Sequence, residues 1–370
     1  MTDTRLRVAV TVEQSWHVVP GGIAKATVEL LRALSARGEL DLVGVAARHR
    51  GRPPDDLDPP VTVRHLPLGR RVLYETWQRL RIPVVERATG PVDVVHDAGY
   101  VVPPSRAPLV ATVHDLLFRT FPEHYTRHSL GTFRRGFELA RRHARVVICP
   151  SRATRDACVE AGIERGRLRV VPLGVRPSDP DPDRADRVRR RYGVARPYVL
   201  FCGTIEPRKN LRRVLQAFRA VGDRDVELLL AGPQGWKEDV GADVAALDGR
   251  ARAIGFVASA DLDVLYAGAA AVVYPSLAEG FGLPVLEAMA NGAAVVTSIG
   301  TATEEVAGDA ALLVDPLDVD AIAAAIVRLL DDRAFAAELG SAAKARASGY
   351  TWTRTAELVA AIYAEVADAA

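Results

Sequence analysis

Cysteine is scarce in this chain. There are three in 370 residues, Cys149, Cys158 and Cys202, and no C-x-x-C among them. That excludes a disulfide-stapled framework and a thiolate zinc site, and a cytoplasmic location is expected. Aromatic residues make up only 6% of the sequence, and no zinc-finger or RNA-recognition pattern occurs, so no nucleic-acid partner is expected. No run reaches the ~18 unbroken apolar residues that a membrane span requires. The opening MTDTRLRVAV lacks the basic-then-apolar order of a secretory leader. H-E-x-x-H, the P-loop, the nucleophile elbow and G-x-G-x-x-G are all missing, which removes several common hydrolase and dinucleotide-binding classes.

What is present is length, and a rhythm. A chain this long is expected to fold as two domains. Short β-branched runs alternate with amphipathic stretches: strands are expected at 7–12, 41–46, 61–66, 92–96, 108–114 and 145–149. Helical patterns lie at 23–37, near 73–87, at 123–142 and at 152–161. Such alternation specifies a parallel sheet covered on both faces. After VVPLGV (170–175) comes a polar, Pro-rich, charged stretch, RPSDPDPDRADRVRRRYGVA, which suits a linker followed by a short helix. The alternation then restarts at PYVLFCG (197–203) and continues to a helical tail over 317–347 and 352–368. The expected division is 1–174 joined by the last helix, 352–370, and 175–351. Ligands of such sheets sit beyond the carboxyl ends of the strands, so a site is expected there, in a cleft between two facing domains.

The net charge of +2 conceals an asymmetry. Residues 1–175 carry an excess of nine positive charges, leaving a net −7 in the rest. The basic half would suit an anionic acceptor or peripheral contact with the inner membrane surface. The plainer reading is a solvated, Arg-rich surface.

Two segments carry most of the chemistry. In Glu279-Gly-Phe-Gly-Leu-Pro-Val-Leu-Glu287 a strand passes into a helix. Gly280 and Gly282 permit close backbone approach, and Pro284 fits the first helical turn. The amides of Phe281, Gly282 and Leu283 then lie at a helix N-terminus, ready for phosphate oxygens. Glu287 can accept from both hydroxyls of a ribose, and Glu279 from a sugar. In Gly203-Thr-Ile-Glu-Pro-Arg208-Lys209-Asn210, two cations sit where a helix begins. Their repulsion from the macrodipole is a cost that an anionic ligand would offset. Read blandly, the first is a glycine-rich turn with surface carboxylates and the second a pair of exposed bases.

Two weaker segments follow the first domain's strands. Pro20-Gly21-Gly22-Ile23-Ala24 is by itself a tight turn before a helix. Val113-His114-Asp115 places a histidine at a strand end; His96 is placed similarly but reads as structural.

Together, G-T-x-E-P-R-K-N and E-G-F-G-L-P-x-L-E resemble glycosyltransferase family 4, the retaining enzymes of the GT-B architecture, which include many bacterial mannosyltransferases. The resemblance covers nearly the whole chain and is most specific over 197–300. It implies two Rossmann-like α/β domains with the C-terminal helix crossing back to the first. It also implies that Arg208 and Lys209 neutralise the donor diphosphate, beside Gly203 and Thr204. Many members have Gly-Arg where this chain has Gly203-Thr204, which puts weight on Arg208. Glu279 and Gly280 through Leu283 would meet the transferred sugar and phosphate, Glu287 the ribose, and Phe256 and Val257 the base, with Tyr274-Pro275 nearby. Gly21 and Gly22 would line the acceptor side, Gly22 also approaching the diphosphate, and His114 would lie near the reacting centre. The donor implied first is GDP-mannose, with UDP- and dTDP-sugars as alternatives; the acceptor is a sugar, a lipid-linked or a small molecule. Asp179-Pro-Asp181-Pro-Asp183 looks like the D-x-D metal motif of a different transferase class, but it sits in the linker, so no metal or other cofactor is expected. An epimerase or hydrolase on the same fold, and a non-catalytic two-lobed sugar-binding protein, are the competing classes.

Overall fold

The computed structural model describes residues 5–17, 21–176, 181–235 and 238–369. Pro20 and Asp179 therefore lie outside the described residues. The chain forms two compact units: Met1–Gly174 together with Thr351–Ala370, and Val175–Tyr350.

The first unit holds a seven-stranded, all-parallel sheet: β1 (Leu6–Thr11), β2 (Leu40–Ala46), β3 (Thr62–His65), β4 (Val94–Asp97), β5 (Leu109–Thr112), β6 (Ala144–Cys149) and β7 (Leu168–Val170). Their order is β3-β2-β1-β4-β5-β6-β7, so the winding reverses between β1 and β4. The second unit holds β8 (Tyr198–Cys202), β9 (Glu227–Ala231), β10 (Ala251–Gly255), β11 (Ala271–Tyr274), β12 (Val295–Ser298) and β13 (Leu312–Val314). That sheet runs β10-β9-β8-β11-β12-β13, again parallel, and reverses between β8 and β11. Each unit is thus a doubly wound, Rossmann-like α/β fold.

Of the helices, five matter below: α1 (Gly21–Arg37), α2 (Arg70–Arg79), α3 (Leu211–Arg219), α4 (Leu283–Ala290) and α5 (Trp352–Asp368). In β1 the side chains alternate between two cores. Ala9 packs with Leu73 and Trp77 of α2 on one face, while Val8 and Val10 pack with Leu31 and Leu34 of α1 and Val359 and Ile362 of α5 on the other. Burial of both faces explains why the strands read as near-continuous apolar runs rather than as alternating ones. Helix α5 is therefore part of the first unit's core although it closes the sequence.

The helical pattern over 73–87 is not one helix. It stops at Arg79, where Arg81 takes a left-handed backbone (φ 56°) ahead of Pro83. Ile82, directly before Pro83, is disfavoured in the α region, and the proline itself supplies no N–H to continue the ladder. The 317–347 stretch likewise divides, at Asp332, into Val319–Asp331 and Arg333–Ala347. Asp181 is not plain linker: its side chain accepts from the Asp183 amide and caps the helix Pro182–Arg191.

His96, on β4, is fully buried and ties α5 to the sheet. Its Nδ1 meets the Tyr363 hydroxyl at 2.7 Å and its Nε2 meets Thr112 Oγ1 at 2.8 Å. Burial, aided by His114, lowers its pKa to about 3 from the usual 6.5. A buried neutral histidine contributes stability that is intact above pH 6.5 and is lost as pH falls toward 3, at about 1.4 kcal/mol per unit of separation. Lowering the pH from 7 to 5 is therefore expected to reduce the melting temperature of the native protein more steeply than that of His96→Gln. Calorimetric melts at the two pH values test this; parallel slopes would remove His96 as the acid-sensitive group.

Candidate donor site in the second unit

The reversal of strand order in the second sheet falls between β8 and β11, and the segments following those two strands make the site. Beyond β8, the chain at Gly203 is forced close to its neighbours. A Cβ on Gly232, which follows β9 at φ 145°, would lie 2.0 Å from the Gly203 carbonyl oxygen, so only glycine fits there. Glu206 is extended, and Pro207–Lys209 forms a single 3-10 turn. Asn210 then takes a left-handed backbone (φ 62°), and its side-chain amide donates to the carbonyls of Pro275 and Pro316. This anchor locks the cationic turn against the segment that follows β11. Helix α3 begins only at Leu211, so Arg208 and Lys209 precede it rather than sit within its first turn.

Four charged side chains converge here. Arg208 Nη1 lies 2.7 Å from Glu279 Oε2, and its Nη2 lies 2.5 Å from Glu206 Oε1. Lys209 Nζ donates to Glu279 Oε1 at 2.7 Å and to the Tyr274 hydroxyl. Glu279 Oε1 also accepts from Tyr274 at 2.9 Å and from Ser276 at 2.8 Å. Only 9% of the Glu279 side chain is exposed and 10% of that of Lys209, so solvent screens these pairs poorly. Burial opposes ionisation of Glu279, yet Arg208 and Lys209 outweigh it and hold its pKa down to about 2. Burial and the neighbouring Arg208 guanidinium lower the Lys209 pKa, against the pull of Glu279 and Glu206. Tyr274 is pushed well above its usual range by burial and by Glu279, so it stays a neutral donor. The carboxylates thus hold two cations in fixed positions before any ligand arrives.

Beside this cluster lies the turn into α4. Gly282 has φ 106°, and a Cβ there would meet Thr303 Cγ2 at 2.7 Å; both the backbone and the space demand glycine. Pro284 stands in the first helical turn. Among the described residues, the amides of Phe281, Gly282 and Leu283 have no protein acceptor. Phe281 is buried, its ring edge-on to Tyr350 at 6.1 Å. Glu287 lies one turn further along α4. Burial, then Cys202 and Glu287, push the Tyr266 phenol well above its usual range. Open amides, two fixed cations and a carboxylate one helical turn away match a diphosphate linked to a ribose.

Other expected residues stand apart. Phe256 follows the edge strand β10 and is 72% exposed, and Val257 is buried; among the described residues, no hydrogen bond joins either to the cluster. Thr204 is half-buried beside Gly235. In the first unit, Gly21 opens α1 at φ 62° and Gly22 follows it, exposed. His114 follows β5. Burial lowers its pKa below the usual value against an opposing hydrogen bond, in which Nε2–H donates to the Ala98 carbonyl at 3.0 Å. That bond leaves Nδ1 as the acceptor. His114 lines a small cavity of about 30 Å³ with Thr27, His96 and Thr112.

The sequence reading omits Glu206 and the Tyr274 hydroxyl from the cluster. Glu206 pairs with Arg208 two residues away, and the carboxylate next to paired cations in E-P-R-K was the available signal. The resemblance implies Tyr274 near the base; its hydroxyl joins the Lys209–Glu279 pair.

Two doubly wound, all-parallel sheets in one chain make a GT-B-type architecture. Comparison with known proteins agrees. The family description "Glycosyl transferases group 1" matches residues 196–332, and "Glycosyltransferase Family 4" matches residues 20–179. The O-antigen chain mannosyltransferase B of Escherichia coli is 33% identical over 270 residues, covering 70% of this chain and 71% of that protein. The MMP alpha-(1->4)-mannosyltransferase of Mycolicibacterium hassiacum is 32% identical over 298 residues, covering 74% and 71%. A D-inositol 3-phosphate glycosyltransferase of Acidothermus cellulolyticus is 30% identical over 396 residues, covering 93% and 85%. Among solved structures, HepE of Anabaena, in complex with UDP and glucose, superposes with a TM-score of 0.76 at 21% identity, over 98% of this chain and 100% of that one. WaaG, a glycosyltransferase involved in lipopolysaccharide biosynthesis, gives 0.74 at 16% identity, over 96% and 99%. The chain belongs to glycosyltransferase family 4, and it is a glycosyltransferase. No helix of the described residues is long and apolar enough to cross a membrane.

Proposed function

We propose that this enzyme transfers mannose from GDP-mannose to an acceptor hydroxyl with retention of configuration and without a metal ion. The observation that carries the reading is the convergence of Arg208 and Lys209 on Glu279 beside the open amides at Phe281–Leu283. The mannosyltransferases among the relatives support mannose as the sugar.

As the bond from the anomeric carbon to the donor phosphate breaks, its electron pair leaves on the phosphate oxygen. Arg208, Lys209 and the α4 amides meet that charge with donors already in place, which is where preorganised electrostatics has its largest effect. That supplies the stabilisation a divalent ion would otherwise give. The acceptor oxygen bonds to the anomeric carbon on the face the phosphate leaves, and its proton passes to the departing phosphate oxygen. Both oxygens of Glu279 are engaged by cations, which makes it a clamp and a partner for sugar hydroxyls rather than a nucleophile. Glu287 takes the ribose hydroxyls.

A ligand that binds only the native state raises the melting temperature. GDP is expected to do so more than UDP or dTDP at equal concentration, with and without EDTA. A larger shift with UDP or dTDP would replace the guanine assignment; loss of the shift with EDTA would replace the metal-free one.

A further inference from the structure

The histidine that follows β5 is held through a single backbone peptide. His114 Nε2–H donates to the Ala98 carbonyl at 3.0 Å, and Nδ1 has no hydrogen-bond partner among the described residues. Burial lowers the pKa of this ring and favours its neutral form, which offers one donor and one acceptor. Which nitrogen carries the hydrogen is then decided by the group facing the other one. The Ala98 carbonyl shares its peptide with the Gly99 amide, and glycine accepts either sign of φ, so this peptide can flip at little steric cost. A stiffer residue does not fit without rearrangement. A Cβ at Gly99 would lie 1.7 Å from Nε2 and 3.0 Å from Cδ of the buried Gln14.

Asp97 supplies the missing restraint. Its Oδ1 accepts from the Gly99 amide at 3.2 Å and from the Thr11 hydroxyl at 3.1 Å. Thr11 Oγ1 in turn accepts from the Ala98 amide at 3.0 Å, so the peptides on both sides of Ala98 are tied to one pair of side chains. Thr11 is the last residue of β1 and Asp97 the last of β4, and these strands are neighbours where the winding of the sheet reverses. Both side chains are buried. Burial raises the Asp97 pKa to about 6, against the Gly99 amide, the Thr11 hydroxyl and the Arg81 guanidinium. A carboxylate is therefore costly at this place, and the bonds it accepts offset the cost. If the Ala98–Gly99 peptide flipped, the Gly99 N–H would face His114 Nε2 in place of the carbonyl. Nε2 would then have to accept, and Nδ1 would carry the hydrogen. One flip exchanges the acceptor that the ring presents for a donor.

We propose that Asp97 is a positioning residue: held by Thr11, it fixes the Ala98–Gly99 peptide, and thereby keeps His114 as the Nε2–H tautomer with Nδ1 an acceptor for a substrate hydroxyl. The substrate clause rests on the transferase reading above; the tautomer does not.

Nitrogen-15 NMR of the histidine side chains in the intact protein tests it at about pH 8, where Asp97 is ionised, with His114→Gln identifying the signals. Wild type is expected to carry the His114 hydrogen on Nε2 alone. In Asp97→Ala a substantial share is expected on Nδ1. Asp97→Asn, whose side-chain oxygen can accept from both partners, is expected to restore most of the Nε2–H form. Thr11→Val should shift the hydrogen in the same direction as Asp97→Ala, and Thr11→Ser should restore it; this pair gives the same reading if Asp97→Ala does not fold. Turnover should follow the tautomer. In Asp97→Ala, kcat is expected to fall about five- to tenfold, roughly the worth of one hydrogen bond, with KM for the donor little changed, and Asp97→Asn is expected to recover most of the loss. A merely structural role would lower the melting temperature without moving the hydrogen. His114 keeping Nε2–H in both Asp97→Ala and Thr11→Val, or a kcat that falls equally in the Ala and Asn variants, would overturn the proposal. GDP-induced melting shifts are run in parallel on the wild type. Their absence sinks the donor assignment alone, because the tautomer is read without any ligand.

Discussion

Arg208→Ala is expected to lower kcat/KM by about 10²–10³, the range seen when one preorganised donor is removed from a site of developing charge. Arg208 is only 17% exposed and bridges Glu206 to Glu279, so both its geometry and its poor screening favour a large effect. Arg208→Lys is expected to recover part of the loss and not all of it. An ammonium restores the charge but not the fork that reaches two carboxylates and a phosphate together. Release of nucleoside diphosphate, followed under steady-state conditions, measures both. If the alanine variant keeps nearly full activity, the guanidinium does not face the leaving group.

Glu279→Gln is the second large effect, and its sign differs between binding and turnover. The substitution keeps the shape of the side chain but removes the charge that restrains Arg208 and Lys209. Breaking one partner out of a buried ion cluster costs about 3–5 kcal/mol of stability, so the melting temperature should drop. Binding of nucleoside diphosphate should hold or tighten, because one negative charge beside the phosphates is gone. Turnover should fall by about 10³ as the sugar hydroxyls lose a charged acceptor and the cations lose their register. Mass spectrometry of the variant incubated with donor should show only unmodified protein. A glycosyl adduct would contradict same-face attack and put a nucleophile elsewhere in the site.

Much of this was legible in the sequence because its signals are local. The strand runs, the paired glycines around Phe281, Pro284 and the adjacent cations are all short-range patterns, and they fall at strand ends as doubly wound folds require. What remained hidden depends on partners distant in the chain. Tyr274 ends a strand and reads as core; its hydroxyl becomes polar machinery only because Lys209 arrives from a turn 65 residues earlier. The left-handed Asn210 and its two carbonyl partners, which set the direction of that turn, cannot be read from residue types alone. The break after Arg79 was foreseeable from Pro83, but apolar spacing continued past it and suggested one helix. Strand β13, three residues long, offers too little pattern to separate from its surroundings.

The central claim is that the end of β8 and the end of β11 together hold a pyrophosphate. Calorimetric titration of GDP and of guanosine into the wild-type protein and Arg208→Ala tests it most directly. The account predicts that GDP binds at least about 100-fold more tightly than guanosine, a difference of about 3 kcal/mol, and that most of the gap closes in the variant. Equal affinities for GDP and guanosine, or a gap that Arg208→Ala leaves intact, would contradict it.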